Sequence, residues 1–228
     1  MSTRSVKLVS GEYFHIYNRG NGKHKIFLDE EDYDRFEKIL YVCNSDKNFN
    51  FRDSIVDIKI EAFDLERGTP SVSILAWVLM PNHFHLFLIS PRQGLGEDEK
   101  NNISIYMQKV STAYVMYFNK KYKRTGSLFE GKFKAKHVDK ENYFNYLFAY
   151  IHLNCIKLIQ SDWKKNGIRD KEKAENYLKI FHHSSFQDYF GNKRKQEKII
   201  NKNILPFHIK RVNKDKLFEL INVDLDQS

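Results

Sequence analysis

The segment MPNHFHLFLI (residues 80–89) sets two imidazoles one residue apart in a run that otherwise reads as an apolar strand. Residues i and i+2 of a strand share a face, so His83 and His85 project side by side while Phe84 and Leu86 turn to the other. Two imidazoles a strand pitch apart can both reach one divalent ion. A bare pair also fits two polar residues on a solvated face, and a catalytic ion needs about three protein groups and an open position. His15, His137, His152, Asp139 and Asn154 are candidates for the third group, and spacing alone does not choose among them. In DKENYFNYLFAYIHLNCIKL (139–158), Tyr150 and Asn154 are four apart and so lie one turn from each other on one helix face. A phenol and an amide so placed can present a nucleophile and an oxygen ligand to the same ion, although Tyr150 also fits the core spacing of an amphipathic helix.

Positioning these groups requires a framework. EYFHIYNR (12–19) alternates loosely and predicts a strand that GNG (20–22) ends. DEEDYDRFEKILYVC (29–43) opens with acids suited to a helix N-terminus and carries Tyr33, Phe36, Ile39 and Leu40 at helical spacing. Residues 44–70 read as an elaborated connection or insertion, with a short strand expected at SIVDIKIEAF. SVSILAWVLM (71–80) and HFHLFLI (83–89) flank a Pro-Asn turn signal and predict an antiparallel hairpin. NNISIYMQKVSTAYVMYFNKKY (101–122) predicts a long helix, SLFEGKFKAKHV (127–138) a strand with one basic face, and 139–158 a helix capped by Asp139. The order predicts an α+β fold of ferredoxin-like type, helices packed on one side of an antiparallel sheet. Residues 1–160 form the expected main domain and 161–228 a basic C-terminal extension, mostly accessory.

With 41% hydrophobic and 14% aromatic residues, the chain is too apolar to be disordered, yet no run approaches the roughly 20 apolar residues that span a bilayer. MSTRSVKLVSGEYF has no apolar stretch of signal-peptide length, which makes the cytoplasm the expected compartment. Cys43 and Cys155 cannot build a disulfide framework or a zinc finger. A net charge of +9 favours a polyanionic partner. Residues 119–140 concentrate that charge in Lys120, Lys121, Lys123, Arg124, Lys132, Lys134, Lys136 and Lys140, interleaved with Tyr122, Phe129 and Phe133. Cations for phosphates and rings for unstacked bases suit single-stranded nucleic acid, and Asn18 and Arg19 at a strand end are a second candidate contact.

SILAWVLMPNHFHLFLI, then YVMYFNKKYKRTGSLFEGKFKAKHV, then YLFAYIHLNCIKL resemble, in order, motifs of the IS200-like single-tyrosine transposases, particularly the branch associated with repetitive extragenic palindromes (REP). The resemblance covers about residues 12–160, and HHSSFQDYFG resembles a downstream element of the same branch. It implies a metal-dependent endonuclease and strand transferase for single-stranded DNA. His83-Phe84-His85 would be its HUH pair (U being a bulky hydrophobic residue), Tyr150 its nucleophile, Asn154 the group completing a Mg²⁺ or Mn²⁺ site, and a 5′-phosphotyrosine its intermediate. The DNA contacts expected from the charge run and the strand end are Asn18, Arg19, Lys121, Arg124, Lys132, Lys134 and Lys136, and the substrate that the resemblance implies is a strand bearing a REP-like hairpin. Cys155 stands where the family commonly has proline, and Lys132-Phe133 where it has Arg-Tyr, which bears on the DNA contacts. A monomer is favoured over a homodimer. The alternatives are a domesticated hairpin-binding protein with weak or no catalysis, and a zinc hydrolase using a third histidine, against which the missing HExxH counts.

Overall fold

The computed structural model describes residues 6–47, 61–91 and 102–221; the strand expected at SIVDIKIEAF falls almost wholly outside them. Four strands form one antiparallel sheet in the order β2-β3-β1-β4, with β1 Tyr13–Arg19, β2 Ser73–Met80, β3 His83–Ile89 and β4 Lys134–Val138. Helix α1 (Glu30–Val42) joins β1 to β2, α2 (Asn102–Lys121) joins β3 to β4, and α3 (Glu141–Leu153) follows β4. This is the expected ferredoxin-like α+β arrangement, its central pair β3-β1 being the one that carries the histidines.

Alternation divides the sheet into two working faces. Phe14, Ile16, Phe84, Leu86, Leu88, Trp77 and Leu79 point to one side and pack under α1 and α2. Val78, Met80, Phe87 and Val138 point to the other and pack under α3. The expectation of helices on one side thus holds for α1 and α2, while α3 covers the opposite face. Its aromatic residues Phe144 and Phe148 are buried there, and so are Trp163, Leu178, Phe186, Leu205 and Leu217 from beyond it.

Local chemistry sets the element ends. Asp29 caps α1, its side chain accepting from Asp32 N. Pro81-Asn82 makes the two-residue link between β2 and β3. The basic strand is shorter than expected: only residues 134–138 run as β4, while Phe129 makes an isolated bridge to Gly20. Asp139 does not cap α3; Lys140 occupies that position without a side-chain bond. Beyond α3 a 3₁₀ turn, Asn154–Leu158, leads to short helices α4 (Trp163–Asn166), α5 (Lys171–Ile180), α6 (Phe186–Phe190), α7 (Phe207–Lys210) and α8 (Lys214–Leu220). Residues 183–185 and 200–201 pair with the outer edge of β2, through Leu79 N to His183 O, Ser185 N to Trp77 O and Asn201 N to Ile74 O. Among the described residues no helix is long and apolar enough to cross a membrane.

Candidate active site

His83 and His85 share the α3 face of β3, opposite Arg19 and Tyr17 of β1. His85 is 7% exposed, and its Nδ1 lies 2.8 Å from Nε2 of the equally buried His15. A proton on that bond leaves the His85 Nε2 facing the cleft, so His15 is placed to orient a ligand. His83 is half-buried, with Nδ1 2.6 Å from Asn82 Oδ1. The Asn82 amide nitrogen donates to Lys23 O, which makes its oxygen the acceptor, puts the His83 proton on Nδ1 and frees Nε2. Burial comes first in depressing protonation: with Lys157 it lowers His83 to about 4, and with His15 and His83 ahead of the lysines it lowers His85 well below its ordinary value. Both rings are therefore neutral at neutral pH, the form that binds a cation.

Tyr150 arrives from above on α3. Its ring centroid stands 5.5 Å from that of His85 and 6.3 Å from that of His15, with Tyr146 stacked behind it at 5.7 Å. Burial raises the phenol's pKa, and Lys164 Nζ, 5.0 Å from the ring centre, opposes that rise. Asn154 ends α3 one turn further on and is 3% exposed. Its amide sits between the two groups, near enough to raise His83 and lower Tyr150, yet its Oδ1 is fully buried and meets no donor at hydrogen-bond geometry. A buried carbonyl oxygen without a partner costs about 1–3 kcal/mol, a cost that a bound cation or an ordered water would offset. Among the described residues no three or more His, Cys, Asp and Glu side chains gather as a metal site. The donor set that fits a cation is two neutral imidazoles and one amide oxygen, with positions left open.

The site opens into a cleft of about 460 Å³. Its lining includes Tyr17, Asn18, Asn82, both histidines and four cations, Arg19, Lys23, Lys134 and Lys157, with no carboxylate. Gly20 shapes the mouth: a Cβ there would lie 2.1 Å from His24 O, so only glycine permits the chain to double back. Lys23 then adopts a left-handed conformation, φ 63°, on the cleft wall. Such a non-glycine residue costs roughly 1–2 kcal/mol.

The expected DNA contacts separate into two groups. Lys134 lines the cleft, Lys136 lies with its Nζ 4.0 Å from the Tyr143 ring centre on the same sheet face, and Lys132 and Arg124 are exposed. Arg19 lines the cleft but is bound through two nitrogens to Glu130. Lys121 and Asn18 are engaged inside the protein: Lys121 Nζ sits 2.7 Å from Asp29 and 3.0 Å from both Glu31 and Asp32, and the 4%-exposed Asn18 gives its amide to Gly131 O. The remaining ligand candidates lie elsewhere. His137 pairs with Glu12, Asp139 is exposed, and His152 is sealed between Phe148 O and Ser185 Oγ. Sequence reasoning passed over Tyr17, Lys23, Asn82, Lys157 and Lys164. Lys157 had a signal, since it stands three residues after Asn154 in the same turn.

No family model matches the chain, and no curated protein matches it. Among solved structures it is similar to a REP-associated tyrosine transposase bound to a REP hairpin, at 13% identity over 91% of this chain and 95% of that one, with a TM-score of 0.47. A putative transposase from Deinococcus radiodurans is 13% identical over 73% of this chain and 98% of that one, TM-score 0.34. A tRNA(His) guanylyltransferase from Saccharomyces cerevisiae is 13% identical over 90% and 85%, TM-score 0.34. At such identities and TM-scores the likeness assigns no chemistry.

Proposed function

We propose that the protein is a single-tyrosine DNA transposase: a metal-dependent nuclease and strand transferase that cuts single-stranded DNA beside a REP-like hairpin. The observation that carries this reading is the approach of Tyr150 to His85, ring centroids 5.5 Å apart, with the buried Asn154 one turn from Tyr150, beside a cleft lined by both histidines and four cations and no carboxylate. His83, His85 and Asn154 would hold the ion. A bound Mg²⁺ or Mn²⁺ would neutralise and orient the oxygens of the scissile phosphate, Mn²⁺ suiting the nitrogen donors better.

The chain's own groups do the rest. Lys134 and Lys157 draw the DNA backbone into the cleft, and α3 holds the Tyr150 hydroxyl over the sheet for in-line attack. The bond from tyrosine oxygen to phosphorus forms, the bond to the ribose 3′-oxygen breaks, the phenol loses its proton and the leaving oxygen gains one. The resulting 5′-phosphotyrosine keeps the energy of the phosphodiester, so a 3′-hydroxyl can reverse the step and join strands. Lys164 favours the phenolate that burial disfavours.

Incubation with a labelled single-stranded hairpin and Mn²⁺, followed by boiling in detergent, tests this. The expected product is a covalent protein–DNA adduct that Tyr150→Phe abolishes. Free cut ends that persist in Tyr150→Phe would overturn the proposal. The raised pKa of Tyr150 favours a second reading, a hairpin-binding protein with weak or no catalysis, for which tight binding without an adduct is the signature.

A further inference from the structure

The cleft has nothing anionic to offer a divalent cation. Two imidazoles line it, and its charged walls are cationic. Glu130 offsets Arg19 and approaches Lys134 to 3.7 Å. Lys157 differs: it is exposed, it lines the same cleft as both histidines, and no described carboxylate lies within ion-pair distance of it. It belongs to the 3₁₀ turn that begins at Asn154, so backbone geometry ties its position to that of the third donor. A cation on the two imidazoles meets repulsion from Lys157, whereas a phosphate at the same place attracts both.

We propose that Lys157 is a positioning residue that couples metal binding to DNA binding, its ammonium holding a non-bridging oxygen of the phosphate in the cleft and, until that phosphate arrives, opposing a divalent cation on His83, His85 and Asn154. This rests on reading the cleft as the metal-assisted DNA site. Because linkage is reciprocal, DNA tightens the cation by the same factor as the cation tightens DNA. The empty cleft therefore binds Mn²⁺ weakly, and the ternary state assembles on the nucleic acid.

The test uses the full chain carrying Tyr150→Phe, so that DNA stays intact, with Mn²⁺ binding followed by the loss of the free-ion electron paramagnetic resonance signal. Single-stranded hairpin DNA is expected to tighten Mn²⁺ about five-fold or more. Adding Lys157→Gln should tighten Mn²⁺ in the absence of DNA, weaken the hairpin, and reduce the salt dependence of DNA binding by about 0.7 in log–log slope. Lys157→Arg should retain the original behaviour. These opposite signs are not what a merely structural lysine gives. Mn²⁺ binding that requires His83 but ignores both DNA and Lys157 overturns the coupling alone. Mn²⁺ binding that is the same in His83→Ala removes the metal site, and with it the functional reading as well.

Discussion

At the scale of single residues, Asn154 separates function from stability. Its Oδ1 is buried with no hydrogen-bond partner among the described residues, beside the two histidines and Tyr150. Asn154→Leu keeps the volume and removes the stranded oxygen, so the melting temperature should hold or rise by a few degrees. Adduct formation should fall about ten-fold or more, since an oriented donor is lost. A variant less stable but equally active would mean that the amide supports the turn, not the ion. His83 and His85 were legible as a strand pair because a period of two is written in the sequence, and Tyr150–Asn154 because helical spacing is too. That Tyr150 stands against His85 was implied only by family resemblance, because the pairing of β3 with β1 and the seat of α3 on that face are long-range facts.

At the scale of elements, alternation and punctuation located β1, β2 and β3 to within two residues, but not the basic strand, and the strand expected at SIVDIKIEAF lies almost wholly outside the described residues. SLFEGKFKAKHV alternates over residues 132–137, but its first half meets the end of β1 only by isolated contacts at Leu128–Glu130, and only 134–138 run as β4. The charge run at 119–140 was visible, yet the acids that neutralise Lys121 come from the start of α1, some 90 residues away, and no local pattern announces them. The C-terminal segment shows the same limit. Its basic stretch reads as a mostly accessory extension, and nothing in its local pattern announces that Arg194, 15% exposed in its side chain, pairs with the fully buried carboxylate of Asp188 and donates to His182 O and Ser184 O. That clamp holds the 183–185 turn against the edge of β2, which would otherwise present unpaired backbone groups. Arg194→Ala leaves a buried acid unpaired and should cost about 3–5 kcal/mol. Chemical denaturation measures the loss, and light scattering should detect association through the uncovered edge; a change below about 1 kcal/mol would mean that the turn is held by its backbone bonds alone.

At the scale of the whole molecule, the sheet is sandwiched between two cores, and the histidine-bearing face is the one that keeps a charged cleft beside its core. Placing imidazoles there has a cost that depends on pH. Burial foremost holds His15 at about 3, His83 at about 4 and His152 at about 3, with His85 also far below its ordinary value. Above about pH 7.5 these rings are neutral in folded and unfolded chains alike and contribute almost no difference. Between that value and about pH 4 the unfolded chain takes up protons that the folded chain refuses, so stability falls as pH falls. At pH 5.5 each ring contributes a loss of about 1.4 kcal/mol, and the four together on the order of 5 kcal/mol, against a total stability of typically 5–15 kcal/mol. The melting temperature should therefore drop steeply from pH 7 to pH 5. His152→Gln, which keeps a polar group toward Phe148 O and Ser185 but cannot titrate, should flatten that slope by about a quarter of the total. A melting temperature constant over this range would show that these rings are not held neutral, and their readiness to take a cation at neutral pH would lose its electrostatic basis.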